Sequence, residues 1–413
     1  MKVSVLGLSV LLVACNVDEK GGKPGGVDLR DSGQCPQGTA IVLTDFKSTQ
    51  IALSDLEGRT LSASFISTAS AQVSGMGLPL SGDVGLPSAR PASKNIVLLD
   101  RYGTNVITWV NPETAVVIGQ LPVGTGFESN PRDYVEVDQQ RAYVTRWGQN
   151  GAGGKEPFDR GGDMLIIDVG ERRIVGAVEF PIEEGLPPRP GAITRVGDEY
   201  IVTLERVAED FATTGDSILA AVSPETDEIV WQQRIEGKKN CGRLEPSPSG
   251  RRFALACSGE IDDDGAATSL AGSGILVFER APNGLREIER FEPQELLNEL
   301  VQSEVAFIDE DRLLYKTQTP WIGAGNNRLA ALTMSSRETK VLLEARPDED
   351  GMGKGLTYVG LFCASGCAST CLMADSDRGV LQKIVTTDTD VTVGEAIQVE
   401  DEVGLPPVGI GAW

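Results

Sequence analysis

There is no histidine among the 413 residues. This removes the side chain that titrates near neutral pH and the commonest transition-metal ligand. Ser-His-Asp catalysis, Cys-His catalysis and His-ligated zinc are therefore excluded within one chain. Positive charge is also scarce: 37 Lys and Arg face 60 Asp and Glu, a formal net charge of -23. A surface this acidic repels nucleic-acid phosphates and anionic lipid, so neither is expected as a main partner. The Gly-rich stretch Gly151 to Gly154 lacks a following Gly-Lys-Ser/Thr, which excludes a phosphate loop. Acid-base chemistry by Asp, Glu, Tyr or Lys remains open, as does calcium on carboxylates. The 48 glycines and 22 prolines that are present point to many turns and against long helices.

After Met1-Lys2 comes an apolar run, Val3 to Ala14, too short to span a bilayer but suited to the core of a secretory signal. It ends Leu12-Val13-Ala14-Cys15, which resembles the lipobox of bacterial lipoproteins. The resemblance implies a signal peptide over 1–14 and lipidation of Cys15. Residues 15–36, Gly-rich and without apolar period, then read as a flexible tether. Acyl chains contribute roughly 0.8 kcal/mol per buried CH₂, enough for several chains to hold a protein on a membrane. Asn16 stands where an Asp would, by the same resemblance, favour the inner membrane. The expectation is an exported protein fixed to the envelope by its lipid alone, on the outer membrane.

Six further cysteines, Cys35, Cys241, Cys257, Cys363, Cys367 and Cys371, are an even number in an exported chain and point to disulfides. The even spacing of Cys363, Cys367 and Cys371 also admits a metal cluster, which an oxidising compartment and the lack of a CxxC pair disfavour.

A pattern of β-rich run, loop, second run, polar turn and third run recurs about every 50–60 residues, the signature of a repeat architecture. Ile96 to Asp100, Val106 to Val110, the turn Asn111 to Thr114 and Val116 to Leu121 make one unit. Tyr200 to Leu204, Ser217 to Val222, the turn Pro224 to Asp227 and Ile229 to Ile235 make another. Short alternating strands joined by hairpin turns at even spacing predict an all-β fold, a seven-bladed propeller over 37–413 with four antiparallel strands per blade. One short helix is expected over Pro293 to Leu300, where apolar residues fall at helical spacing.

Arg141 to Thr145, Leu165 to Asp168 and Arg173 to Val178 resemble the YVTN family of propeller repeats, and Ala221 to Trp231 resembles a degenerate quinoprotein-type repeat with Asp227 in place of Gly. The resemblance implies a fold and no particular activity.

With blade strands named A to D from the inside, Ala40 to Asp45 reads as a B strand lacking its A strand, and Pro407 to Trp413 follows the last D strand without a successor. The tail is therefore expected to supply the missing innermost strand and close the ring. Strand ends then suggest the pairs Cys241–Cys257 and Cys363–Cys371, leaving Cys35 with Cys367; sequence alone permits many other pairings. The A–B and C–D turns are short and share one rim. The long B–C loops, Arg146 to Gly162, Arg206 to Asp216, Ser258 to Gly274 and Lys316 to Arg328, converge on the other rim, away from the tether. Loops of this length inside compact domains are usually functional or disordered.

On those loops, Arg146, Trp147, Lys155, Phe158 and Arg160 combine cations with stacking rings suited to an acidic or aromatic partner, although they would serve equally as the loop's own small core. Trp321 with Asn326 and Asn327 suits a sugar. Glu260, Asp262 and Asp264 resemble the front half of a calcium loop, but Ala271 occupies the place of the closing Glu, so a solvated acidic loop is the plainer reading. The four Gly-Leu-Pro segments, at Gly77, Gly85, Gly185 and Gly404, read as turn punctuation near the D–A connections. The sequence therefore predicts a monomeric binding or scaffold module, using its long-loop face on a protein or glycan of the envelope and needing no cofactor. The rival expectation is a propeller-class glycan hydrolase or lyase working with Asp, Glu, Arg or Tyr at the channel mouth.

Overall fold

A computed structural model describes residues 26, 27, 29, 33, 35–70, 75–260, 270–318, 327–347, 353, 354, 356, 359–399 and 404–413. The signal segment, Cys15 and most of the tether lie outside the described residues, as do Asp262, Asp264, Trp321 and Asn326. Seven four-stranded antiparallel sheets follow one another along the chain and close into a ring. Their innermost strands are Pro407–Ala412 in blade 1, Val84–Gly85 in blade 2, Pro131–Glu136 in blade 3 and Pro190–Val196 in blade 4. Cys241–Pro246, Leu300–Phe307 and Val359–Cys363 serve blades 5, 6 and 7. A separate two-stranded ladder, Arg346–Pro347 with Gly353–Lys354, lies between blades 6 and 7 in the sequence.

Strand period explains the ring. Successive side chains of a strand point to opposite faces, and a blade between two neighbours has both faces covered. In Ile96–Asp100, Ile96 and Leu98 join an apolar cluster shared with blade 1, while Val97 and Leu99 join one shared with blade 3. The whole strand is buried. Seven such clusters occur among the described residues, one at each junction of neighbouring blades. Burial of a large aliphatic side chain is worth about 1.5–3 kcal/mol, so the junctions between blades hold most of the fold's stability.

The C-terminal segment closes the ring as the sequence predicts. Pro407–Ala412 pairs antiparallel with the inner edge of Thr39–Thr44, setting Ile410 opposite Ile41. Trp413 is buried behind it, and its carbonyl accepts from the Gln37 N–H at 2.7 Å. Where innermost strands approach one another, only glycine fits: a Cβ on Gly242 would lie 2.0 Å from the Ser303 carbonyl oxygen of the next blade.

The disulfides are Cys241–Cys257, Cys363–Cys371 and Cys35–Cys367. The first two join paired residues on neighbouring A and B strands. The third spans 332 residues and ties the N-terminal segment to blade 7, a constraint worth on the order of 5 kcal/mol in the chain-entropy account. Disulfides persist in oxidising compartments, which marks an extracytoplasmic protein. The N-terminal segment also touches the ring: Val27 is buried against blades 1 and 2 and donates its N–H to the Pro112 carbonyl at 2.9 Å.

Two local expectations change. The helix expected from Pro293 contracts to one 3-10 turn, Pro293–Glu295, because Leu296 is drawn into the core between blades 5 and 6 and a strand begins at Leu300. Gly85-Leu86-Pro87 does not lie in a D–A connection. Gly85 ends a two-residue innermost strand, and the A–B connection of blade 2 runs on to Ile96 as a long strap.

Candidate functional site

The innermost strands of all seven blades surround a central cavity of about 360 Å³. Its polar lining includes Arg101, Arg132, Asp133, Glu205, Arg243, Glu245 and Glu304. A strands start on the long-loop rim and B strands end there. Arg132, second in its A strand, Arg189, just before the next one, and Trp147 and Glu205, at B-strand ends, therefore meet at that mouth between blades 3 and 4.

Trp147 organises the group. Its indole N–H donates to Glu205 Oε2 at 2.7 Å, and the Arg189 guanidinium lies 4.0 Å from its ring centroid. Phe211 stacks on it at 5.9 Å, and Arg132 approaches to 5.3 Å. Arg189 is further fixed by the carbonyls of Trp147 and Val207, at 3.1 and 3.2 Å. Arg132 is held differently: its Nε is buried without a hydrogen-bond partner among the described residues. Such an orphan donor costs free energy unless something accepts from it.

Burial sets the electrostatics. It pushes the Glu205 carboxyl up, against the pull of Arg132, the Trp147 N–H and Arg189. It pulls Arg132 down, with Glu205 opposing, yet a guanidinium stays charged at any physiological pH. Across the channel Glu304 is open to channel water but enclosed by protein, and its carboxyl is likewise raised by burial. Buried Lys316, near Glu304, Asp377 and Asp375, is pulled down to about 8, again mainly by burial. The mouth thus holds a guanidinium whose buried Nε has no partner among the described residues and a carboxyl of raised pKa, backed by the buried Trp147 ring. Among the described residues no cluster of three or more carboxylate or cysteine side chains stands ready for a metal.

The residues singled out by sequence disperse. Arg146 is fully buried and bidentate to Asp163 at 2.8 and 2.6 Å, with further bonds to the carbonyls of Val123 and Phe158. It roots its loop and has nothing left for a partner. Phe158 packs half-buried against the junction of blades 2 and 3. Lys155 is exposed on the loop, and Arg160 is exposed 3.9 Å from Glu179. Of the five, only Trp147 reaches the channel mouth. Asn327 donates to the Leu356 carbonyl at 3.4 Å, and Glu260 pairs with Lys239 at 2.9 Å. Asp100, Asp159 and Asp375 are structural acceptors: Asp100 for Ser81, Asp159 for the backbone of its own loop, Asp375 for Arg378.

Sequence reasoning passed over Arg132, Arg189, Glu205, Arg243 and Glu304. For Arg132, Arg243 and Glu304 the one signal is a charge inside a short β run, as in Pro131-Arg132-Asp133-Tyr134, where alternation leads one to expect a covered face; Arg189 and Glu205 flank such runs.

No family model matches the chain, and no curated protein matches it in sequence. Among solved structures, it is similar to a candidate 6-phosphogluconolactonase from Bacteroides fragilis at 11% identity, over 93% of this chain and 99% of that one, with a TM-score of 0.56. A periplasmic gluconolactonase of Pseudomonas aeruginosa is similar at 14% identity over 90% and 98%, TM-score 0.54. A hypothetical selenium-binding protein from Sulfolobus tokodaii follows at 10% identity over 92% of each chain, TM-score 0.56. At these identities the likeness is one of fold.

Proposed function

We propose that this chain is a lipid-anchored binding module of the cell envelope that takes a carboxylate-bearing ligand, the acidic end of a glycan, at the long-loop mouth of its channel. The observation that carries the reading is Arg132, a guanidinium lining a 360 Å³ cavity, with no partner for its Nε among the described residues. Guanidinium donors match carboxylates in geometry as well as charge. The net charge of -23 adds a condition: an acidic ligand reaches the site only because cations at the mouth outweigh the repelling surface locally, and since salt screens that attraction, binding should weaken as salt rises.

Calorimetric titration with D-galacturonate and with neutral D-galactose tests this. The acid should bind and the neutral sugar should not, and Arg132→Met should weaken the acid at least tenfold, about 1.4 kcal/mol. Equal binding of both sugars, or an Arg132→Met protein that binds as well as the parent, would sink the proposal.

The enzyme reading keeps one specific support, the raised Glu205 carboxyl beside a cation, which suits general acid or base work on a glycan. It requires turnover of a polyuronide, or of the gluconolactone that the similar structures' names suggest. Glu205→Gln should then abolish turnover while galacturonate still binds.

A further inference from the structure

The channel's two ends differ, and the difference lies in the A–B connection of blade 2. Where other blades turn tightly, this one carries Leu86-Pro87-Ser88-Ala89-Arg90-Pro91-Ala92-Ser93-Lys94-Asn95. Leu86, Pro87 and Ser88 line the cavity itself. Ser88 reaches three other blades: its N–H donates to Asp133 of blade 3 at 2.8 Å, its hydroxyl lies 3.2 Å from the Ile193 carbonyl of blade 4, and its carbonyl accepts from Arg243 of blade 5. Ser93 donates its N–H and hydroxyl to Glu136, at 2.6 and 2.7 Å, at the short-turn end of the same A strand. Segment 86–94 therefore crosses the channel from the short-turn rim to about mid-depth.

A further contact ties this strap to the N-terminus. Arg90 Nη1 donates to the carbonyl of Cys35 at 2.6 Å, and Cys35 is disulfide-bonded to Cys367 in the A–B turn of blade 7. Cys35 is half-buried and Cys367 exposed, whereas Cys241 and Cys257 of the blade 5 disulfide are both buried.

We infer that segment 86–94 is the floor of the ligand pocket and that the Cys35–Cys367 disulfide latches this floor through Arg90. The pocket is then one-ended. A ligand enters and leaves by the long-loop mouth alone, and a polymer is read at its end and cannot be threaded. The latch is sensitive to reduction because Cys367 is exposed and Cys35 only half-buried. A dithiol reductant opens it by attack of one thiolate on the disulfide and resolution of the mixed disulfide by the second thiol; two electrons and two protons pass to Cys35 and Cys367, and the reductant becomes a disulfide. The Cys35 carbonyl, freed from blade 7, then no longer fixes Arg90.

The consequence for binding rests on the channel-mouth reading above; the floor and its latch do not. Hydrogen exchange of the Ser88 and Ser93 amides, followed without ligand, isolates the second claim. In Cys35→Ser/Cys367→Ser and in Arg90→Ala these amides should exchange at least tenfold faster than in the parent. In Cys241→Ser/Cys257→Ser they should not change, and Arg90→Lys should restore most of the protection. Unchanged strap amides in the Cys35→Ser/Cys367→Ser protein would overturn the latch. So would an acceleration spread evenly over all seven blades, since the disulfide would then stabilise the ring as a whole. Galacturonate titration of the oxidised parent reports separately on Arg132: a sealed, latched floor with no acid binding would leave this inference standing and defeat the proposed ligand.

Discussion

Two regions of blade 3, reached by neighbouring strands, treat an arginine in opposite ways. At the root of the long loop, Arg146 makes five hydrogen bonds, two of them to Asp163, and no surface remains exposed. At the channel mouth, Arg132 lines a cavity, its Nε has no partner among the described residues, and the Trp147 ring lies 5.3 Å away. The first cation is consumed by the fold. The second is held by strand geometry and left for something else. Residue type does not separate them; saturation does. On the proposed reading, a binding site in this molecule is to be sought where the bonding is incomplete, and Arg146 is not such a place.

The largest effect should come from breaking the saturated side. Arg146→Met leaves Asp163 buried and uncompensated and should cost about 3–5 kcal/mol in urea unfolding, whereas Arg132→Met loses no hydrogen bond at Nε and should lie within about 0.5 kcal/mol of the parent. Equal losses would erase the distinction between the regions. Lys316 offers a second buried cation to set beside Arg146, on blade 6. Its folded pKa of about 8 lies below its unfolded value of 10.5, so the burial penalty is present below pH 8 and is relieved as pH rises toward the unfolded value. Stability should climb by on the order of 3 kcal/mol across that window, and Lys316→Met should flatten the climb.

A smaller effect belongs to Glu205, whose carboxyl burial raises. As pH falls through its folded pKa it loses a negative charge beside Arg132, so galacturonate should bind several-fold tighter. Glu205→Gln should bind at neutral pH as the parent does in acid, with the slope gone. Smallest of all, Lys155→Ala and Arg160→Ala, both on the exposed loop, should move stability by less than about 0.5 kcal/mol and leave galacturonate affinity unchanged.

How much of this was legible in the sequence follows from the range of the forces involved. Ile96 to Asp100 reads as a strand because its neighbours in sequence carry the whole period-two signal. Ring closure was legible because Ala40 to Asp45 lacks an inner partner and Pro407 to Trp413 is left over. The disulfides followed from strand ends, since cross-strand pairing fixes which ends meet. Arg132 was not legible, because a lone charge in a short β run gains its meaning only when seven strands converge from across the chain. The saturation of Arg146 was hidden for the matching reason: Asp163, which pairs with it, is its neighbour only across the B–C pairing. The strap was missed because Gly85-Leu86-Pro87 has the same letters as three true D–A connections. The helix at Pro293 lost to the core, which needs Leu296 more than the chain needs a second turn.

The most direct test of the channel-mouth site is the Nε–Hε resonance of each arginine in the ¹⁵N spectrum of the oxidised protein during titration with D-galacturonate. The Arg132 signal should move downfield and saturate with the calorimetric affinity, while the Arg146 signal stays in place. A stationary Arg132 resonance at concentrations where the sugar acid is bound would place the ligand elsewhere and contradict the account.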